Sequence, residues 1–286
     1  MRLIALMLVR NEDWIIRTSL DAALRWCDGV VVVLDRCSDA TMKYVHEHLK
    51  GQRKPCLMHV HEGNDDWNEM DLRQLSLELG RKLKGTHFAI VDADEILTHN
   101  LLGDIRGYFF DLPKPGTLLE LPMVAVWDTP AQHRLGDPTW SNAWLTLGFK
   151  DKPDLTWKPA QDGYHHHHRP PYGVEEERRR PVPKAFGGVM HLQFANPRRL
   201  VAKHVLYRMV DHIRWPGRDT IEQLNWKYDQ ALKPTGHVDW MPDSWWGDYR
   251  QSLIDVDGIP YQESRIVDML NKHGREAFAG LDLKGF

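Results

Sequence analysis

The chain has 286 residues, of which 42% are hydrophobic and 27% are charged, and its formal net charge is −3 with histidine neutral. These values are ordinary for a globular protein with a sizeable core, and they argue against a protein that coats nucleic acid through bulk charge alone. The three cysteines form no C-x-x-C pair, so we expect a reduced, cytoplasmic protein. We also expect no transmembrane segment, because no apolar stretch approaches the roughly 20 residues that span a bilayer.

The first 125 residues alternate strand-like and helix-like segments. Hydrophobic runs predict strands at residues 3–9, 30–34, 56–60, 87–91 and 117–126. Helical spacing predicts helices at 12–26, from a cap at Ser38 or Asp39 to residue 49, and at 70–83. This alternation indicates a parallel α/β sheet, in which ligands bind beyond the carboxyl ends of the strands. Asp35 and Asp92 each stand at the end of a predicted strand.

The alternation of strand-like and helix-like segments ends after residue 126. Residues 127–188 are rich in Pro, Trp and His, and we predict a mobile surface loop at 170–181. The histidine tetrad at 165–168 is a poor preformed metal site because it lies in a loop beside two prolines. Regular structure resumes with a strand at 188–194, then helices from the Asn196 cap to about 213, at 220–232 and at 263–273. We therefore predict an α/β domain at 1–195 with a helical extension at 196–286 packed on it.

The acidic run at residues 92–95 (DADE) carries the first chemical signal. Alternate residues leaving a strand point to the same side, so the carboxylates of Asp92 and Asp94 can converge. Two converging carboxylates suit Mn²⁺ or Mg²⁺, which can bridge a diphosphate. The plainer alternative is a turn that caps the next helix, since Asp favours such positions.

Three ordered motifs resemble family 2 glycosyltransferases and their relatives with the GT-A fold. They are residues 8–12 (LVRNE), 32–41 (VVLDRCSDAT) and 90–95 (IVDADE), the last resembling the DXD metal motif. Cys37 and Ala40 depart from the usual Ser and Gly of the second motif. The resemblance covers about the first 125 residues. It implies a GT-A-like, Rossmann-type, mostly parallel sheet with flanking helices, and a metal-dependent transfer of sugar from a nucleotide-sugar.

The same resemblance assigns roles residue by residue. Arg10 and Asn11 would border the nucleotide pocket, and Asp35 would accept hydrogen bonds from the base, commonly uracil. Asp92 would contact the ribose or the metal, and Asp94 would ligate the metal. The polar segment before the third helix would face the nucleotide through Asp66, and Arg73 on that helix would reach the diphosphate. The alternative is ordinary helix capping by Asp65 or Asn68 with a solvated arginine.

The same resemblance implies a further metal ligand well downstream of the acidic run. His191 follows a predicted strand, and neutral imidazole is a competent ligand for Mn²⁺ beside carboxylates. The alternative is a core histidine bonded to backbone. On the next helix Arg199, Lys203 and Tyr207 recur every four residues, so Lys203 is predicted to hold the diphosphate from this face.

An inverting transfer needs a general base for the acceptor hydroxyl, and a retaining one does not. Asp128 and Asp137 are the candidates, and the sequence does not choose between them. Four tryptophans in this part of the chain are candidates for the core or for platforms against the apolar face of a sugar: Trp127, Trp140, Trp144 and Trp157.

The resemblance therefore implies a glycosyltransferase. Its expected donor is a UDP-sugar, and a GDP-sugar is the second choice. Its acceptor could be a glycan, a small molecule or nucleic acid. A nucleotidyltransferase is one alternative, but that class usually has a glycine-rich loop after its first strand, whereas residues 10–14 (RNEDW) contain no glycine. A non-catalytic module that binds glycan or single-stranded nucleic acid is the other.

Overall fold

A mixed, mostly parallel β-sheet with flanking helices forms the centre of the structure. The computed structural model describes residues 1–63, 68–136, 142–158, 168–233 and 236–286. The strands are β1 Leu3–Val9, β2 Gly29–Asp35, β3 Cys56–His61, β4 His87–Ile90, β5 Glu95–Leu97, β6 Leu118–Ala125, β7 Gln132–Leu135, β8 Trp144–Lys150, β9 Arg178–Arg179, β10 Val189–His191 and β11 His237–Trp240. The helices are α1 Ile16–Trp26, α2 Thr41–Lys50, α3 Glu69–Lys82, α4 Ile105–Phe110, α5 Pro197–Arg214, α6 Ile221–Asp229, α7 Asp243–Trp246 and α8 Tyr261–His273. Within the described ranges, no helix combines the length and the apolar character needed to cross a bilayer.

The order of the main sheet is β3-β2-β1-β4-β8-β6-β10-β5, and β9 pairs with β6. The four strands from β3 to β4 are parallel, β8 runs antiparallel to both of its neighbours, and β10 is parallel to β6. The predicted α/β class, with a mostly parallel sheet and flanking helices, is confirmed. A separate two-stranded antiparallel ribbon pairs β7 with β11.

Side chains of β1 alternate between two hydrophobic clusters, one on each face of the sheet. Leu3, Ala5 and Met7 pack on the face covered by α1, whereas Ile4 and Leu6 pack on the face covered by α3. Each fully buried Leu or Ile stabilises the fold by about 1.5–3 kcal/mol. Burial on both faces explains why these strands read as continuous apolar runs.

The antiparallel pairing of β8 with β4 requires a glycine at position 148. A Cβ on Gly148 would lie 2.1 Å from the carbonyl oxygen of Phe88 in β4, so only glycine lets the two strands approach. This contact joins the parallel half of the sheet to β6 and β10.

Several elements differ from the sequence prediction. The strands β5, β7 and β8 were not predicted, because they are short or lie in the segment that lacks hydrophobic periodicity. The predicted loop at 170–181 contains β9, which pairs in parallel with β6, so that part of the prediction is wrong. The first helix begins at Ile16 rather than 12, since Asn11 adopts a left-handed conformation with φ of 53° and residues 12–15 turn before the helix starts.

The helices after residue 196 share a hydrophobic cluster of their own. Ala202, Met209 and Ile266 are fully buried between α5, α6 and α8. The predicted cap is confirmed, because the Asn196 side chain accepts a hydrogen bond from the Arg199 amide at 2.9 Å and Pro197 begins the helix. The division between residues 195 and 196 stays a prediction.

Candidate functional site

The carboxyl ends of β1, β2 and β4 meet at one edge of the sheet, where most of the predicted residues converge. The register pairs Val9 with Leu34 and Leu6 with Ile90, so the residues that follow each strand emerge side by side. This edge therefore carries residues 10–12, Asp35 and the acidic run 92–95. It is the position at which parallel α/β sheets bind ligands.

Asp35 and Asn11 are tied to neighbouring loops. Arg36 donates two hydrogen bonds of 2.9 Å to the two carboxylate oxygens of Asp35, and Arg10 Nη1 lies 3.4 Å from Oδ2. The Asn11 side chain accepts from the Ser38 amide at 2.7 Å and so joins the end of β1 to the loop before α2. The predicted base contact of Asp35 and the pocket roles of Arg10 and Asn11 stay predictions.

Asp92 is held between two arginines. Arg73 Nη2 donates to Oδ1 at 3.1 Å, and Arg169 Nη1 donates to Oδ2 at 2.9 Å. Arg73 also bonds Glu69, one turn earlier in α3, at 2.7 Å. Burial favours the neutral carboxyl, but the two guanidinium groups outweigh it and lower the pKa of Asp92 below its ordinary value. Arg73 therefore holds Asp92 in place, and its predicted contact with the diphosphate stays a prediction.

Arg169 is the central cation of this edge, and the sequence offered no signal for it. Its guanidinium donates to both carboxylate oxygens of Glu95, at 2.9 and 2.6 Å, and to the carbonyl oxygens of Ile90 and Thr146, each at 2.8 Å. It therefore links β4, β8 and the acidic run. Arg169 lies in a segment without hydrophobic periodicity. Nothing in the sequence there distinguishes a buried, paired arginine from one exposed to solvent.

Asp94 faces His191 and Lys203. His191 Nε2 lies 3.5 Å and Lys203 Nζ lies 3.9 Å from Asp94 Oδ2. The topology explains the meeting, because β10 pairs with β5 and aligns His191 with Glu95, the residue after Asp94. Lys203 reaches the same point from the second turn of α5, and Gln193 joins the two, since its side chain contacts Lys203 Nζ at 3.1 Å and His191 Nδ1 at 3.3 Å.

The charges of this cluster support one another. Burial disfavours the ionised form of each group, yet His191 and Lys203 lower the pKa of Asp94 well below its ordinary range. Asp94 in turn raises the pKa of His191, and Tyr207 and Asp94 raise that of Lys203. The cluster thus holds one ionised carboxylate beside an imidazole and an ammonium group.

This cluster could hold a divalent cation through two side chains. Among the described residues, no group of three or more His, Cys, Asp or Glu side chains is arranged to hold a metal ion. Asp94 and His191 nevertheless offer one oxygen and one nitrogen atom as metal ligands, and these two atoms lie 3.5 Å apart. Mg²⁺ often takes only one or two protein ligands and completes its shell with water and substrate phosphates, so the pair fits such an ion. Asp92 as a metal ligand stays a prediction, and here both of its oxygens face arginines.

A second carboxylate, which is partly buried, adjoins this cluster and was not predicted. Glu12 lies 3.8 Å from Arg199 and accepts a hydrogen bond from the Trp14 indole. Burial, which outweighs the attraction of Arg199, raises its pKa to about 7. Arg199 belongs to α5, the first of the C-terminal helices. The C-terminal helices therefore contribute side chains to the same edge.

Glu12 should make stability depend on pH. Its pKa is about 7 in the folded protein and about 4.5 without the fold, so between these values the unfolded chain releases a proton that the folded chain retains. The free energy of unfolding contributed by Glu12 is therefore greatest below its unfolded pKa and is lost as pH rises through the folded pKa. We expect Glu12→Gln to flatten this fall between pH 5 and 7 in urea unfolding. Glu47→Gln, at an exposed position of α2, is the control, and an unchanged slope in Glu12→Gln would contradict the assignment.

Of the remaining predicted site residues, the structure describes Asp128. Asp128 is exposed just beyond β6, with φ of 63°, and its amide donates to the Phe194 carbonyl at 2.9 Å. It therefore lies near the end of β10 that carries His191, and its role as a base stays a prediction. Asp66 and Asp137 lie outside the described residues, as do Trp140 and residues 165–167 of the histidine tetrad.

No protein-family model matches the chain, and neither does any curated protein. Among solved structures, TarS 1–349 of S. aureus has a TM-score of 0.44 at 13% identity, over 81% of this chain and 69% of its own. TarS 1–349 in complex with UDP has a TM-score of 0.37 at 20% identity, over 44% of this chain and 36% of its own. Mannose-1-phosphate geranyltransferase from Thermus thermophilus has a TM-score of 0.30 at 10% identity, over 54% and 51% of the two chains. These likenesses concern the fold alone.

Proposed function

We propose that this chain is a metal-dependent glycosyltransferase that moves a sugar from a nucleotide-sugar, with a UDP-sugar favoured, to an acceptor hydroxyl. The observation that carries the proposal is the cluster of Asp94, His191 and Lys203, set beside Asp92 at the carboxyl ends of parallel strands. A carboxylate, an imidazole and a partly buried ammonium group in this position suit a diphosphate with its divalent cation.

Each group has a distinct task in this proposal. Asp94 and His191 would hold Mn²⁺ or Mg²⁺, which would supply Lewis-acid stabilisation of charge on the leaving diphosphate. Lys203 would donate hydrogen bonds to the same diphosphate. Its partner Gln193 would keep the ammonium group in place when Asp94 turns to the cation.

The transfer itself forms one bond and breaks one. The acceptor oxygen bonds to the anomeric carbon of the sugar, and the bond from that carbon to the diphosphate oxygen breaks. The hydroxyl proton passes to a base, for which Asp128 is the described candidate, and the nucleoside diphosphate departs with the bonding electrons. Lys203 then faces the additional negative charge of the product.

Thermal melting with nucleoside diphosphates tests the proposal. We expect UDP to raise the melting temperature of the wild type only when Mn²⁺ is present, because a ligand of the folded state adds about 2.7 kcal/mol at a hundredfold excess over its dissociation constant. GDP, CDP and ADP identify the preferred base. Asp94→Asn should abolish the shift, whereas Asp111→Asn, at an exposed position just after α4, should retain it. If no diphosphate shifts the wild type at millimolar concentration, the proposal is wrong.

A further inference from the structure

A cavity of about 290 Å³ is lined by residues of α1, of α2 and of the segment at 250–253. This volume is close to the lower limit for pockets that bind small molecules, roughly 300 Å³. The segment is fixed to α1, because Thr18 Oγ1 donates a hydrogen bond of 3.1 Å to the Arg250 carbonyl. Six residues line the cavity, and none of them belongs to the candidate functional site: Arg17, Tyr44, Glu47, His48, Arg250 and Leu253.

Arg17 brings a positive charge to this cavity that the fold does not neutralise. It lies in the first turn of α1 and is partly buried, and its guanidinium carbon lies 4.5 Å from the centroid of the Tyr44 ring. Among the described residues, no acidic side chain forms an ion pair with Arg17, and its Nε is buried without a hydrogen-bond partner. A guanidinium group stays charged at any ordinary pH, so this charge is permanent.

His48 is a second polar residue of the cavity whose hydrogen bonding is incomplete. Its Nε2 is buried and has no hydrogen-bond partner within the part of the chain that the structure describes. Burial lowers the pKa of His48, so the ring is neutral near pH 7 and can carry its proton on Nε2. Buried polar atoms without a partner are rare in folded proteins, and a bound water, ion or ligand is a usual explanation for them.

The charges of the lining favour an anion. Two arginines and one glutamate line the cavity, and the glutamate, Glu47, is exposed to solvent, which screens its charge. Arg250 is 55% exposed at its side chain and has a distant partner in Asp21, at 3.8 Å, whereas Arg17 has none among the described carboxylates. Oxygen atoms of an anion would therefore find a guanidinium group that lacks a counter-charge, and such charge-assisted hydrogen bonds are strong.

We propose that this cavity is a second binding site, which takes a small organic oxyanion, a carboxylate or a phosphate monoester, through the guanidinium group of Arg17. His48 and Arg250 are further hydrogen-bond donors in the same lining, and Leu253 supplies apolar surface for the carbon atoms of the ligand. Carboxylates and phosphates both match the planar fork of donors that an arginine presents. Binding here does not depend on the proposed glycosyl transfer, because the two sites share no residue.

Calorimetric titration of the full chain with inorganic phosphate, glycerol 3-phosphate and acetate, at constant ionic strength, tests the site. We expect the wild type to bind at least one of these anions at millimolar concentration. Arg17→Gln should weaken that binding about tenfold, as expected for a lost charge-assisted contact. Glu47→Gln should strengthen it about twofold, because it removes an exposed negative charge from the lining. Arg179→Gln makes the same change of charge as Arg17→Gln at an exposed position of β9, outside the cavity, and should leave the affinity unchanged.

The outcomes separate this site from the proposed function. Tighter binding of the two phosphates than of acetate would identify the ligand as a phosphate monoester, and the reverse order would identify a carboxylate. If none of the three anions binds the wild type, or if Arg17→Gln binds them as the wild type does, the second site is overturned. If UDP with Mn²⁺ displaces the bound anion competitively, the anion occupies the diphosphate site and the proposal is also overturned. If an anion binds as expected while UDP does not shift the melting temperature, the second site stands and the glycosyltransferase assignment fails.

Discussion

Replacing Arg169 with methionine is expected to lower the free energy of unfolding by about 3–5 kcal/mol, the usual cost of leaving a buried charge without its partner. Glu95 is 2% exposed at its side chain, and Arg169 bonds both of its oxygens. Burial already raises the pKa of Glu95, and Arg169 is the main group that opposes this rise. The substitution also frees the carbonyl oxygens of Ile90 and Thr146. Urea unfolding with an unchanged m-value measures the loss.

Two further variants distinguish this explanation from general damage. Arg198→Met removes a bidentate pair with Glu263 whose arginine is 53% exposed, and we expect it to cost about 1 kcal/mol or less. In the double variant Arg169→Met, Glu95→Gln, the buried carboxylate of residue 95 is no longer charged. The glutamine oxygen can still accept the hydrogen bond from the Asp92 amide, so we expect much of the lost free energy of unfolding to return. A cost for Arg169→Met no larger than that for Arg198→Met would show that the Arg169–Glu95 pair is not what holds this edge.

The acidic run and its neighbours were predictable because the fold constrains them. Residues that leave adjacent parallel strands must emerge at one edge, so the positions of Asp35, Asp92 and Asp94 followed from hydrophobic periodicity alone. His191 and Lys203 required more than periodicity, and the family resemblance together with helical spacing supplied it. In the structure His191 and Lys203 both lie within 4 Å of Asp94, because the short strand β10 and the helix α5 reach the same edge of the sheet.

The contacts that sequence reasoning missed come from segments without a repeat. Arg169, Arg180 and Lys184 lie in the part of the chain that is rich in proline and charge, where neither a period of two nor one of 3.6 applies. The buried state of Glu120 was equally hidden, because its strand was predicted while its arginine partners at 178 and 180 were assigned to a loop. Pairing of β9 with β6 creates that contact, and such pairing depends on the whole sheet.

The surroundings of Asp92 and Asp94 indicate a division of roles within the acidic run. Asp92 is neutralised by two guanidinium groups that cannot be deprotonated, so it has little remaining charge for a cation. Asp94 meets an imidazole, which can lose its proton to ligate a metal, and an ammonium group that can turn toward a phosphate. Asp94 would therefore bind the metal directly, whereas Asp92 would hold the loop in shape.

This division predicts unequal effects of two matched substitutions. Asp94→Asn should lower the rate of UDP release from a UDP-sugar, measured as hydrolysis with water in place of the acceptor, by about 100–1,000-fold, since it removes charge stabilisation at the leaving group. The affinity for Mn²⁺ in the presence of UDP, measured by electron paramagnetic resonance, should fall with it. Asp92→Asn should retain the Mn²⁺ affinity within a few fold and should instead lower the free energy of unfolding, because Arg73 and Arg169 lose a charged partner. Equal losses of Mn²⁺ in the two variants would mean that both carboxylates bind the metal, and Arg73 and Arg169 would then have to release Asp92 when the donor enters.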